Sequence, residues 1–531
     1  MKTNMNYLNH VVISTLLCIL LTSCASGPID ISEVIYSEIN AEVNPYGRVP
    51  LGALLKFNTK EPCRVTTIVN GPNPFEQTHQ ELSRIHEIQV LGLYADRENK
   101  VTLQLTSESG QEYTGEVMLK TAKLPAVMPD IEVTTLDRSA MEPGMHLVEL
   151  QAANNGKFLT YTVIFDDAGD IRWFMDMSEN GQITYTPYRL NSGNWLYLNW
   201  QNLLELDDLG KTVIERQMAG SAGNHEVVEL PDGTLLMGGS MRDSYVVHEG
   251  EKVGTRSDHV ILFDPEQGRI VKDWDMRKFM DVSRSYFPSD FSLDPIADWY
   301  HINSIALADN SDIVVSSRTQ GVARITQANE LKWILAPHSD WGRSGFDGKG
   351  FETSDYLLTA VDQNGKPYPE DVQNGKKSAP DFDWPVGQHA LNVLANGNLL
   401  LFDNGLFRNQ NKVPQYSRAV EYAIDETNKT ITQVWQYGKE RGKEMASLIT
   451  SDVDVLPTTN NRLITAGNLR LSETDPPHAK LVEVTYPDNQ VVFEAQIRFK
   501  DALGTKERNW GQFDIVFRGE RFNLIENPKI K

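Results

Sequence analysis

The sequence predicts an all-β protein, a six-bladed β-propeller preceded by a small N-terminal β-sandwich domain, and three observations carry that prediction. An acidic turn followed by an apolar strand that ends near an aromatic residue occurs six times after about residue 145. A second kind of turn, which opens a strand, alternates with it, so each unit holds two hairpins, the content of one propeller blade. Ahead of these repeats lie short runs of alternating polar and apolar residues between Gly, Pro and Asn clusters, as in a small antiparallel sandwich.

Composition sets the outer bounds. The chain has 531 residues, 40% hydrophobic and 23% charged, enough for a large core and unlike a disordered or fibrous chain. Its 50 Lys and Arg stand against 72 Asp and Glu, a net charge of −22 at pH 7. That balance excludes nucleic acid as a partner, because phosphate neutralisation needs a basic footprint. An anionic substrate would have to be received by positive charge concentrated locally.

Residues 1–23 read as a lipoprotein signal peptide. Lys2 precedes the apolar run Val11–Leu21, whose 11 residues suit a signal core and are too short to span a bilayer. The run ends in Leu21-Thr22-Ser23-Cys24, which resembles a bacterial lipobox and makes Cys24 the expected lipidation site. The expected mature protein, residues 24–531, is exported and lipid-anchored to a bacterial membrane, facing the periplasm or the cell exterior. Cys18 leaves with the signal and Cys24 carries lipid, so Cys63 is the remaining thiol. Neither an intramolecular disulfide nor a Cys-based zinc site is then expected.

Residues 24–43 are short and polar to mixed, a tether. Residues 44–125 form the sandwich, with alternating runs at Arg64–Val69, Glu87–Val90, Val101–Leu105 and Gly115–Leu119 and turns at Asn70–Pro74 and Ser109–Gly110. The Pro-containing stretch Lys123–Pro129 reads as a linker, and residues 140–531 as the propeller. There the acidic turns begin at Asp166, Asp207, Asp264, Gln327, Asp425 and Pro487, and the companion turns at Asn191, Pro231, Ala308, Ala395 and Pro457. The strand ends at 214, 274 and 333 are 60 and 59 residues apart and those at 435 and 493 are 58 apart, but 333 to 435 is 102. The long interval needs an insertion, and Gly345–Asp383, rich in Gly, Lys, Asp and Pro, is the candidate.

Of the 11 histidines, three share one local setting. His225, His301 and His389 each precede a short apolar strand and then the turn that opens the next. Equivalent positions in different blades face one axial channel, so the three imidazoles are expected to converge. Three hydrogen-bonded core histidines would show the same repetition. Two chemical readings compete for a convergent trio: a metal site with an open position, or a nucleophile with anion-binding partners. Arg318, on the strand after His301, tilts against a cation, because a guanidinium is always charged and suits tetrahedral oxyanions.

Specific runs then carry a family resemblance. Asp298-Trp-Tyr-His-Ile-Asn-Ser-Ile305, Ser316-Ser-Arg-Thr-Gln-Gly321, Leu331–Pro337, Gln388-His389, Leu401-Phe-Asp-Asn-Gly405, Tyr416–Tyr422 and Val434–Gly442 resemble the bacterial aryl-sulfate sulfotransferases. Asn44–Leu51 and Gly92–Asp96 are similar to that family's small β-domain, so the resemblance covers nearly the whole mature chain in order. It implies the same propeller and sandwich. It also implies sulfuryl transfer from a phenolic sulfate ester to an acceptor phenol by a ping-pong route through a sulfohistidine, independent of a nucleotide sulfate donor. Consistent with that independence, the sequence holds no GxxxxGK[ST] phosphate cradle.

Carried over residue by residue, the resemblance makes His389 the transiently sulfated histidine. His225, His301 and Arg318 are its catalytic neighbours around the sulfuryl oxygens, with Asn303 and Thr450 as substrate-binding contacts. Either His225 or His301 would be the acid and base. No cofactor and no metal is implied; the partners are aryl sulfates, phenols and the membrane, and the family suggests a homodimer. Two features depart from its soluble periplasmic members. They carry a disulfide near the active site, which Cys63 alone cannot supply, and they lack the lipobox. The competing readings are a non-catalytic propeller that binds sulfated ligands and a metal-dependent enzyme built on the histidine trio.

Overall fold

The computed structural model describes residues 27–154, 157–178, 185–199, 201–284, 296–308, 310–408, 414–469, 477–500 and 514–524. The signal segment and Cys24 lie outside them. Among the described residues no helix is long and apolar enough to cross a membrane.

The sandwich is built on one long hairpin, Ala53–Val69 with Phe75–Val90. Asn40–Val43 takes the free edge of its first half, and Glu98–Ser107 takes that of its second. The changeover falls at Thr59–Pro62, where the hairpin register shifts, and it lets the two halves of the sheet fold onto a shared core. The expected tether over residues 24–43 is corrected from residue 29 onward. Ile29–Asp30 already pairs in parallel with Tyr113–Thr114, and Val34 is buried in the core. Strands of two and four residues are too short for alternation to announce them.

Among the described residues six blades follow, each with four antiparallel strands; Thr359–Ala360 adds a short parallel fifth strand to the outer edge of the fifth blade, and the sixth is also extended to five. Their inner strands are Ile515–Phe522, Tyr185–Arg189, Ser221–Glu229, Ile302–Leu307, His389–Val393 and Asp452–Val455. Each blade runs outward from its inner strand, as in Ile302–Leu307, Ile313–Ser317, Gly321–Ile325 and Leu331–Leu335 of the fourth.

Hydrogen bonding explains why the repeat has acidic turns and terminal aromatics. Asp166, Asp207, Asp264 and Asp425 each accept backbone N–H groups two to four residues on, so the carboxylate closes the outer hairpin as an Asx turn. In three blades the terminal indole donates to the corresponding turn of the next. Trp173 reaches the Asp208 carbonyl, Trp333 the Glu426 carboxylate and Trp435 the Asn489 side chain, at 3.0, 2.8 and 2.8 Å. The repeated pattern is thus a blade-to-blade tie as well as a blade.

Two strands close the ring, and neither was expected where it stands. Asp130–Leu136 adds a fifth, outermost strand to the last blade by pairing with Val491–Arg498, which moves the propeller boundary from 140 to 130. Ile515–Phe522, at the far end of the chain, is the inner strand of the first blade. Their partners lie hundreds of residues away, a relation that local periodicity does not carry. Glu142 fastens the seam, accepting from Thr458 N, Thr459 N and Thr459 Oγ1 at 3.0, 2.8 and 2.8 Å.

The segment between Leu331–Leu335 and His389–Val393 holds the expected insertion, packed by Leu358, Val372, Phe382 and Trp384. Arg172, fully buried in the first blade, docks the sandwich. Its guanidinium donates to the carbonyls of Gly92 and Asn73, pairs with Asp166 at 2.9 Å and lies over the Tyr94 ring. One hydrophobic cluster accordingly runs through the sandwich, the first blade and parts of its neighbours.

Candidate active site

Where the inner strands reach the axial channel, their regular pleat breaks. Register shifts fall between Asn224 and Val227, Ile302 and Ser304, and His389 and Asn392. His225 and His301 have φ of 60° and 53°, and Ala390, just after His389, has 54°. The left-handed region is costly for a residue with a Cβ, and a bulge there turns a side chain off the face that alternation would give it. The same irregularity, repeated in three blades, brings the three imidazoles to one place.

His225 and His301 have ring centroids 5.0 Å apart, and Phe517 of the first blade stacks on His225 at 5.6 Å. His301 Nδ1 hydrogen-bonds Asp298 Oδ2 at 2.5 Å. Arg318 stands 3.7 Å and Arg256 3.8 Å from the same carboxylate oxygen. Two guanidiniums around one carboxylate leave the spot electropositive on a strongly acidic chain, the local reception an anion needs. Burial pushes the Asp298 carboxyl up, but His301, Arg318 and Arg256 outweigh it and hold the group well below its usual range, hence ionised.

His389 is 7% exposed. Its Nδ1 lies 2.8 Å from Asn404 Oδ1 and 3.0 Å from the Gly387 carbonyl. Both neighbours accept, so Nδ1 carries the proton and Nε2 keeps its lone pair. Burial, with His301 and Arg318 nearby, brings His389 down to about 3, so the ring stays neutral at physiological pH. Burial likewise lowers His301, with Arg318 adding to it and Asp298 opposing. It lowers His225 further, with His301 and His389 adding to the effect.

The strand that carries His389 is tied to the fourth blade. Asn303 Nδ2 donates to the Gln388 carbonyl at 2.5 Å, Gln388 Nε2 to the Ser317 carbonyl at 2.8 Å, and Leu391 N to Ser304 Oγ at 2.9 Å. Asn303 therefore spends one amide hydrogen on the backbone beside His389, and its buried Oδ1 has no hydrogen-bond partner among the described residues. Thr450 is bonded to the backbone as well. Its hydroxyl donates to the carbonyls of Ile449 and Val516, at 2.6 and 3.0 Å, and its own carbonyl accepts from Asn404 Nδ2. These bonds tie Thr450 to the inner strand of the first blade.

The structure thus gathers His225, His301, His389 and Arg318, and hydrogen bonds tie Asn303 and Thr450 to the backbone around them. Sequence reasoning missed Asp298 and Asn404 as functional residues, although both lie in the runs that carried the resemblance. Their signal was adjacency to a candidate: Asp298 stands three residues before His301, and Asn404 directly follows Leu399–Asp403, the strand paired with that of His389. Among the described residues no three His, Cys, Asp or Glu side chains are arranged to hold a metal ion.

Comparison with known proteins finds matches along most of the chain. The family model described as Arylsulfotransferase (ASST) matches residues 130–506, and the Arylsulfotransferase Ig-like domain matches residues 40–122. Two relatives, the Arylsulfate sulfotransferase AssT of Escherichia coli O6:H1 and that of Lelliottia amnigena, are each 27% identical over 545 residues, covering 86% of this chain and 89% of theirs. Among solved structures, a protein of unknown function from Bacteroides caccae is similar at 10% identity and a TM-score of 0.39, over 71% of this chain and 98% of that one.

Proposed function

The chain belongs to the arylsulfotransferase family, and we propose that it performs aryl sulfotransfer by a ping-pong route through a sulfated His389, with His301 as acid and base and no nucleotide donor. The observation that carries this reading is the hydrogen bonding of His389: both neighbours of Nδ1 are acceptors, so the lone pair of Nε2 is the one free to react.

In the first half-reaction the Nε2 lone pair attacks sulfur and the S–O bond to the aryl group breaks, its electron pair staying on the phenolate oxygen. That oxygen takes a proton from His301, whose Nδ1 is held by the Asp298 carboxylate as the ring gains and loses charge. Charge spread over three sulfuryl oxygens in a loose transition state is met by the Arg318 guanidinium. In the second half an acceptor phenol gives its proton to His301, its oxygen bonds sulfur, and the N–S pair returns to Nε2. The carboxylate distinguishes His301 from His225 for this task, because a nearby anion favours the imidazolium.

Phenol release from a chromogenic aryl sulfate, measured with and without an acceptor phenol, tests the reading. Acceptor-dependent release is expected. No release across several aryl sulfates and acceptors would favour a sulfated-ligand-binding propeller, and equal release without acceptor would mark a hydrolase. Loss of activity to a chelator would restore the metal-dependent alternative.

The lipobox supports a further proposal, that Cys24 is lipidated and the enzyme works on the outer side of a bacterial membrane. Residues 25–28 separate Cys24 from the first strand, a reach of at most about 17 Å, so the sandwich would sit close to the bilayer. Cys24→Ser is expected to stop incorporation of labelled fatty acid and to release active enzyme into the soluble extracytoplasmic fraction. Continued labelling of that variant would overturn the anchor.

A further inference from the structure

The geometry points to Asn404 as a positioning residue that keeps the proton on Nδ1 of His389 through the whole cycle, so that the sulfated histidine departs as neutral imidazole and never as imidazolide. This rests on His389 being the nucleophile.

Asn404 is fully buried, and its amide has one possible orientation. Nδ2 donates to the carbonyls of Ser447 and Thr450 at 3.0 and 3.1 Å, which uses both of its hydrogens on groups that can only accept. Oδ1 must therefore face His389. Other bonds hold those carbonyls in place. Ser417 Oγ lies within hydrogen-bond reach of the Asn404 and Ser447 carbonyls and accepts from Ser447 N, while Thr450 Oγ1 is bonded to the Val516 carbonyl of the first blade. The amide is thus clamped between blades and has no freedom to flip.

The choice of an amide over a carboxylate has a chemical consequence. Attack by Nε2 leaves a ring with an N–S bond at Nε2 and N–H at Nδ1, an imidazolium bearing a sulfonate. When the acceptor oxygen bonds sulfur, the N–S pair returns to Nε2 and regenerates neutral imidazole in its starting tautomer. If the Nδ1 proton were lost from the adduct, the same cleavage would expel an anionic imidazolide, a far poorer leaving group, and the adduct would persist. An amide oxygen accepts the hydrogen bond but is too weak a base to take the proton; a carboxylate could take it. His301, which must gain and lose a proton, has the carboxylate of Asp298, while His389, which must not, has an amide.

Two variants of the full chain test this. In Asn404→Asp the burst of phenol from a nitrophenyl sulfate is expected to survive while acceptor-dependent turnover falls by about tenfold or more. The sulfated protein should then accumulate as an acid-labile ³⁵S label. In Asn404→Ala both half-reactions should slow together with no accumulation. Equal slowing of both half-reactions in Asn404→Asp would overturn the proposal. Where either variant fails to fold, ¹⁵N NMR of histidine-labelled wild-type protein decides, with the His389 signals assigned by their absence from His389→Asn. A protonated Nδ1 and a bare Nε2 are expected, and a bare Nδ1 would overturn the proposal. That readout needs no turnover. Failure of the transferase reading would show separately, as the absence of any phenol burst in the wild type.

Discussion

Replacement of His389 by asparagine is expected to lower aryl-sulfate turnover by at least about 10⁴-fold, the scale on which loss of a covalent nucleophile acts. Asparagine nearly fills the imidazole volume and can still bond Asn404, but it offers no lone pair where Nε2 stands. The variant should fold, bind aryl sulfate, release no phenol burst and take up no sulfuryl label. Retention of even a tenth of wild-type turnover would remove His389 from the covalent role. The wild-type pH dependence adds a second check. The reactive form is the neutral ring, which is lost only as pH falls through the folded value of about 3. With a nitrophenyl donor, whose departure needs no acid, the sulfation rate should therefore show no acid limb from this group between about pH 5 and 8. A limb near 6.5, the value of a solvated imidazole, would mean that His389 is not held neutral as its surroundings require.

Asp298→Asn is expected to act on leaving-group dependence. The carboxylate raises the affinity of His301 for a proton, against burial and Arg318, which lower it. Its removal should leave less imidazolium at working pH and shift any limb that requires protonated His301 to lower pH. Transfer involving poorly departing phenolates should slow by roughly 10² to 10⁴, while nitrophenolate release stays within about tenfold of wild type. The slope of log rate against phenol pKa should therefore steepen, which is the result to look for in burst measurements across a donor series. A uniform loss for all donors would assign Asp298 to holding Arg318 and Arg256 instead, since both guanidiniums face the same oxygen.

The propeller was legible because its blades repeat a local device. Asp166, Asp207, Asp264 and Asp425 close their turns with N–H groups two to four residues away, and such short-range chemistry leaves a recurring sequence pattern. His225, His301 and His389 were legible for the same reason, each standing at one place in its unit. The ring-closing strands were not. Asp130–Leu136 joins the last blade only by pairing with Val491–Arg498, and nothing local tells which sheet will receive it. Ile29–Asp30 and Asn40–Val43 were too short to register as strands, and so were read as tether.

What the sequence by itself determined is the set of groups available: three histidines in matching settings, an arginine after the second, and enough β-forming repeats to bring them around one axis. Only the tertiary structure decided how each is used. The tautomer of His389 depends on Asn404, whose orientation depends on carbonyls at Ser447 and Thr450, braced in turn by Val516. The same frame bonds Thr450 to the Val516 carbonyl and Asn303 to that of Gln388. A hydrogen bond acts over about 3 Å and fixes direction as well as distance, so which proton sits on which nitrogen is settled only when residues far apart in the chain are pressed together in a closed ring.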